Sequence, residues 1–329
     1  MIEKEEFLKK RKKESMRDAF GQTLFDLMKK DERIVVLTAD LAPSLRIEKI
    51  REEFPERFIE VGVAEQNMAG VAAGLAMAGK IPFICSFSCF SPSRNWEQIR
   101  TEIAYNNLPV KIIGSHSGLI TGKDGFSHQS LEDIALMQVL PNMVVVSPLD
   151  ALEVKKAVKE IIKIEKPVYL RLVRPPVLVL SSENDSFEIG KGKILWQSED
   201  FEKKEKKRKR VAIFGYGPLL SQGLLAAFDL VERDFSCRVI SLSTIKPIDE
   251  EIVLETARGV CQIVVLEEHQ KIGGLGATIA QILSERLPLP IKFVAVEDKF
   301  GQSGEPEELL SFYRLTKKDI LEKILNDDD

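Results

Sequence analysis

The 329-residue sequence has no apolar run approaching the ~20 residues of a membrane span. Its N-terminal stretch, MIEKEEFLKKRKKES, is charged throughout where a signal peptide would carry an apolar segment. The expectation is a cytoplasmic protein with no membrane partner. An excess of one charge sign is also missing: 47 Lys and Arg against 51 Asp and Glu leave a net charge of −4. That gives no general attraction to nucleic acid, so no nucleic-acid partner is expected. Cysteine is scarce. Cys85, Cys89, Cys237 and Cys261 have neither CxxC spacing nor a neighbouring histidine cluster, and they read as reduced, buried thiols rather than metal ligands or disulfides. Only three histidines occur, and two of them, His116 and His128, share one short glycine-bearing segment.

What is present is a globular composition, 44% hydrophobic and 30% charged, in a chain long enough for two domains with their own cores. Ser15 and Asp18 form a capping box for an amphipathic helix over 16–29. Predicted strands at 33–38, 58–61, 81–85, 110–113, 143–147 and 168–172 follow, most of them separated by helices. One of those helices is the Ala- and Gly-rich run 67–77. From 211 the pattern repeats, with strands at 211–214, 238–241, 262–266 and 291–296, helices at 219–231 and 250–257 and after Gly274, and a helical tail from Pro306. Alternation of this kind predicts two α/β domains, each a helix-covered, mostly parallel sheet, at 1–175 and 211–329. The stretch 176–210 lacks clear periodicity and ends in EKKEKKRKR, a solvated connection by its like charge.

The sharpest segment is FIEVGVAEQNMAGVAAGLAMAG, residues 58–79. Glu65 stands between a strand and a helix start, at the sheet edge where α/β folds bind ligands. A lone glutamate there is ordinarily a helix-start acid. The whole segment, however, resembles the pyrimidine-binding domain of the transketolase family, which includes deoxyxylulose-phosphate synthase. That resemblance implies that Glu65 meets N1′ of the thiamine aminopyrimidine, a task for a buried acid able to share a proton with a weakly basic nitrogen. Phe87 and Phe90 in CSFSCFSPS then hold the pyrimidine ring. At the family's next aromatic position this chain has Ser93, with Trp96 close by.

The third segment is GSHSGLITGKDGFSHQSLED, residues 114–133. Ser130 and Asp133 are expected to cap the helix that follows. By the same resemblance His116 contacts substrate near its phosphate, while Asp124 and His128 bond sugar hydroxyls and assist proton transfer. Phe126 replaces the family's proline. ADLAPS supplies Asp40, assigned to the cofactor side, and Ser44, assigned to substrate phosphate. Arg17 and Arg174 occupy the family's arginine positions for that phosphate, where forked donors suit a dianion. Arg171 reads as structural, and His269 as structural or interfacial. KIGGLGAT lacks a Walker lysine and the full dinucleotide fingerprint, and is read as tight strand-to-helix packing.

Thiamine enzymes bind the diphosphate through Mg2+ or Ca2+ on a GDG segment followed by NN, and no such pair occurs in this sequence. No metal ligand is therefore assigned to this chain. The resemblance implies the C-terminal subunit of a split transketolase, active only with a partner. That partner is an N-terminal transketolase subunit of roughly 250 to 300 residues, sized by the domain prior, which carries the diphosphate–metal domain. Two copies of each subunit would form a heterotetramer. The implied reaction moves a two-carbon ketol unit between sugar phosphates of the pentose phosphate kind. Alternatives are a subunit of a deoxyxylulose-phosphate synthase-like enzyme, the β subunit of a 2-oxoacid dehydrogenase, or a non-catalytic regulatory subunit.

Overall fold

A computed structural model describes residues 11–203 and 208–326. Residues 204–207, most of the charged core of EKKEKKRKR, and the charged N-terminal decapeptide lie outside the described residues. The first unit opens with the short strand β1 (Lys13–Glu14) and the helix Met16–Met28. Ser15 caps that helix through Asp18 N, as the sequence pattern requires. Strands β2 (Ile34–Thr38), β3 (Phe58–Glu60), β4 (Ile81–Phe87), β5 (Lys111–Ser115), β6 (Val144–Val146) and β7 (Val168–Arg171) then alternate with helices. β2, β4 and β5 are buried along their whole length, the pattern of parallel strands covered on both faces. β8 (Val177–Leu178) returns to pair with β1.

The second unit holds β9 (Lys193–Gln197), β10 (Arg210–Gly215), β11 (Ser236–Ser241), β12 (Thr244–Lys246), β13 (Gln262–Gln270) and β14 (Ile291–Val296). Its sheet has the order β14-β13-β10-β11-β9, parallel except for the edge strand β9. The first sheet runs β12-β6-β7-β5-β4-β2-β3. Its edge strand β12 is supplied by the second unit and runs antiparallel to β6. Both units are helix-covered, mostly parallel sheets, as expected. Two details differ from expectation. The 176–210 connection contributes β8 and β9, and the second unit reaches across to close the first sheet. Neither strand has a clean period: β8 is two residues long, and β9 is half-buried or exposed throughout without strict alternation.

One apolar cluster joins the units, with Ile134, Met137 and Val145 packing in the same core as Phe214, Tyr216, Ile245 and Leu275. His269 sits in this junction, accepting from Ala135 N at 3.3 Å. No helix among the described residues is long and apolar enough to cross a membrane. Cys85 and Cys237 are buried as expected. Cys89 is half-buried and Cys261 exposed, which corrects the expectation for those two. Cys261 stands just before β13, outside the buried strand that begins at Gln262.

The KIGGLGAT loop is filled by protein. Glu267, buried on β13, accepts from Leu275 N at 2.8 Å and Gly276 N at 3.1 Å, so its carboxyl takes the place an anion would hold at the helix start. Any side chain at Gly274 would collide with that carboxyl. Burial pushes Glu267 up to about 8 from an ordinary 4.5. Between those values the folded chain keeps a proton that the unfolded chain has released. The stability from this group is therefore full below the ordinary value and lost as pH rises through about 8. Glu267→Gln removes the titration. The melting-temperature advantage of the native chain over this variant should be largest near about pH 5 and shrink toward about pH 8.5. A gap that does not change with pH would contradict this.

Candidate functional site

Glu65 begins the helix Glu65–Met77, after a loop that turns at Gly62 with φ +68°. Its side chain is 1% exposed, and Oε2 accepts from Arg94 Nη1 at 2.7 Å. Asn95 Nδ2 donates to the Glu65 carbonyl at 3.1 Å, which ties the helix start to the segment after β4. Arg94 was not singled out from the sequence. Its guanidinium also lies 4.7 Å from the Phe90 ring centre, a cation–π distance. The only sequence signal for it was a cation four residues after an aromatic in FSPSRNW.

Phe87, at the end of β4, and Phe90 stack with centroids 5.9 Å apart. The His116 ring stacks on Phe87 at 3.8 Å, and His128 meets Phe90 edge-on at 5.4 Å. Glu65, Phe87, Phe90, His116 and His128 are thus linked in one cluster through Arg94. Ser93 turns its hydroxyl to the Ser88 carbonyl, and Trp96 donates its indole N–H to the Leu136 carbonyl.

His116 follows β5 with φ +54°, a left-handed conformation held by Thr121 Oγ1 donating to its carbonyl. Its Nδ1 lies 2.6 Å from Ser115 Oγ. Burial, aided by Arg17, Arg174 and His128, pushes His116 down to about 3. At neutral pH it is an uncharged imidazole that hydrogen-bonds rather than a cation.

The arginines form a second group. Arg17 donates Nη1 to the Ser44 carbonyl at 2.7 Å and Nη2 to the Arg174 carbonyl at 2.9 Å, while its Nε is buried without a partner. Arg174 donates Nη1 to the Thr121 carbonyl and to Asp124 Oδ1 at 3.0 Å. Arg17, Ser44, Arg174 and Asp124 are therefore brought together beside His116. Asp40 is exposed at the end of β2 with φ +59°, its N–H held by Glu60 Oε1 at 2.7 Å.

The helix cap expected at Ser130 and Asp133 is not formed. The helix Asp133–Gln138 has Glu132 at its N-cap with no side-chain cap bond. Asp133 is buried instead, paired with Arg171 Nε at 2.9 Å and with Tyr169 OH at 2.6 Å. A buried guanidinium needs a carboxylate, and that demand outweighs a cap worth about 1 kcal/mol. Arg171 is structural, as read. Among the described residues there is no group of three or more His, Cys, Asp or Glu placed to hold a metal ion.

The fold and site define a class: a two-unit α/β protein whose ligand edge combines a buried acid, an aromatic–imidazole wall and an arginine cluster. Residues 12–177 match the transketolase pyrimidine binding domain, and residues 202–320 match the transketolase C-terminal domain. A Methanocaldococcus jannaschii protein, provisionally described as a transketolase C-terminal section, is 42% identical over 315 residues, 95% of this chain and 96% of its own. The 6-deoxy-6-sulfo-D-fructose transketolase subunit of a Clostridium species is 38% identical, over 93% of this chain and 92% of its own. A solved split gene transketolase, in an inactive β4 tetramer, superposes with a TM-score of 0.84 at 41% identity, covering 94% of this chain and 97% of that one. The chain belongs to the transketolase family.

Proposed function

We propose that this chain is the C-terminal subunit of a split transketolase, which uses thiamine diphosphate to move a two-carbon ketol unit from a ketose phosphate to an aldose phosphate. The observation that carries the reading is the single cluster of Glu65, Phe87, Phe90, His116 and His128. These residues fit an aminopyrimidine: a buried carboxyl at a helix start lies beside an aromatic wall. When bound, the cofactor supplies an acidic thiazolium C2–H and an electron sink for the broken C–C bond. In this reading Glu65 holds a proton at N1′, and Phe87 and Phe90 pack the ring, with Asp40 at the rim. His128 and Asp124 bond substrate hydroxyls. Neutral His116 bonds near the phosphate without adding charge. The Arg17 Nε is a buried donor without a partner, a polar group left unsatisfied in this cluster.

The sequence has no GDG with a following NN, so the ligands for Mg2+ or Ca2+ are assigned to an N-terminal partner subunit. The subunit name of the Clostridium relative and the inactive β4 tetramer of the solved one support that division. The Clostridium relative acts on a sulfonated sugar by its name, in keeping with an anionic head group at the arginines.

Arg17→Ala and Arg174→Ala test the assignment. Each should weaken phosphorylated donors by on the order of 1.5 to 3 kcal/mol in transition-state binding, as loss of a charge-assisted bond implies. Hydroxypyruvate, which has no phosphate, should be little affected. Equal losses on both donors would make these arginines structural.

A further inference from the structure

The second unit has no part in the reading above, yet it holds the histidine loop. Leu119–Asp124 is a short 3-10 stretch lying between His116 and His128. Ile120 N donates to Glu268 Oε1 at 2.7 Å, across a sequence separation of 148 residues. The Leu119 amide also acts on this carboxyl. Gly118 adopts φ +81°, and a methyl on it would lie 2.4 Å from the same Oε1, so the loop backbone rests directly on the carboxyl. The main-chain carbonyl of Glu268 accepts from Arg171 Nη2 at 3.0 Å, which anchors β13 to the Asp133–Arg171 pair.

Weaker contacts follow at the loop's outer side. Gln129 Nε2 bridges the Leu119 and Gly122 carbonyls to the Gln302 carbonyl, Ser303 Oγ donates to the Lys123 carbonyl, and Lys123 pairs with Glu305 at 2.6 Å. Glu268 is 3% exposed and differs in this from Lys123, Ser303 and Glu305, which are exposed, though not from Gln129. Burial pushes its carboxyl up to about 7. A buried acid carries a desolvation cost, and here it is placed where loop amides would otherwise be left without an acceptor.

We propose that Glu268 is a positioning residue: from the C-terminal unit it fixes the loop 117–125 and with it the mutual placement of His116, Asp124 and His128. Its consequence for substrate rests on the transketolase reading above. The full chain is tested first by amide exchange, which needs no activity. Glu268→Ala should speed exchange at Leu119 and Ile120 by about tenfold or more while the β10 and β13 amides stay protected. Glu268→Gln keeps a carbonyl acceptor and should remain close to the native chain. Glu267→Ala, on the adjacent residue but bonded to a different helix, should leave the loop unchanged. Should Glu268→Ala fail to fold, Glu268→Asp withdraws the carboxyl by one methylene, keeps an ionisable acid, and should open the same amides. Loop amides that stay protected in the variant that folds, or that open equally in Glu267→Ala, overturn the proposal.

In the complex with the partner subunit, Glu268→Ala should raise KM for the ketose phosphate by about tenfold with a smaller change in kcat and in cofactor affinity, and Glu268→Gln should restore it. Parallel losses in all three would mean a general structural role and count against positioning. A native complex without ketol transfer would count against the proposed function and leave the exchange result to decide this inference.

Discussion

Glu65→Gln in the assembled enzyme is expected to slow exchange of the thiazolium C2 proton by on the order of 10²- to 10⁴-fold, the usual worth of a positioned acid–base group. An amide cannot give and take the proton that N1′ requires. The fold should survive the change. Asn95 bonds the backbone carbonyl of Glu65 rather than its carboxyl, and Arg94 is half exposed, so losing the ion pair leaves no buried charge unpaired. The glutamine carbonyl can still accept from Arg94. Hydrogen–deuterium exchange at C2, followed by NMR, reads the step without dependence on substrate. Undiminished exchange would remove Glu65 from the mechanism.

The isolated chain is expected to bind thiamine diphosphate weakly, and addition of an N-terminal partner with Mg2+ should tighten binding by on the order of 10²-fold or more. That factor corresponds to about two charge-assisted bonds to the diphosphate that only the assembled pair can make. The diphosphate carries several negative charges that call for a metal and oxygen ligands. This sequence lacks the GDG and NN ligands, and the arginine cluster of Arg17 and Arg174 is assigned above to the substrate phosphate rather than to the diphosphate. Titration calorimetry on the chain, the partner and their mixture checks the claim. Tight binding by the chain alone would place the diphosphate site here.

What could be read from the sequence was local. Buried parallel strands announce themselves as short apolar runs. The helix Glu65–Met77 does so by its run of small residues, and the helix Glu250–Ala257 matches its expected bounds. The glutamate at a strand-to-helix junction and the two histidines around a glycine loop were legible for the same reason. Long-range partners were not. Arg94 lies 29 residues from Glu65, and Glu268 lies 148 from Ile120, and no periodicity encodes such pairs. The Ser130–Asp133 spacing matched a cap, but the tertiary demand of buried Arg171 took the aspartate. β12 joins the other unit's sheet through a three-residue segment, too short to show whether its partner is near or far in the chain.

The central claim, that this chain is the pyrimidine-side subunit of a two-chain transketolase, is tested most directly by titrating it into a fixed amount of its purified partner. Mg2+, thiamine diphosphate, a ketose phosphate and ribose 5-phosphate are present, and ketol transfer is followed. The account predicts no turnover from either chain alone and a rate that rises linearly until the two chains are equimolar. Ketol transfer at full rate by this chain alone would contradict it.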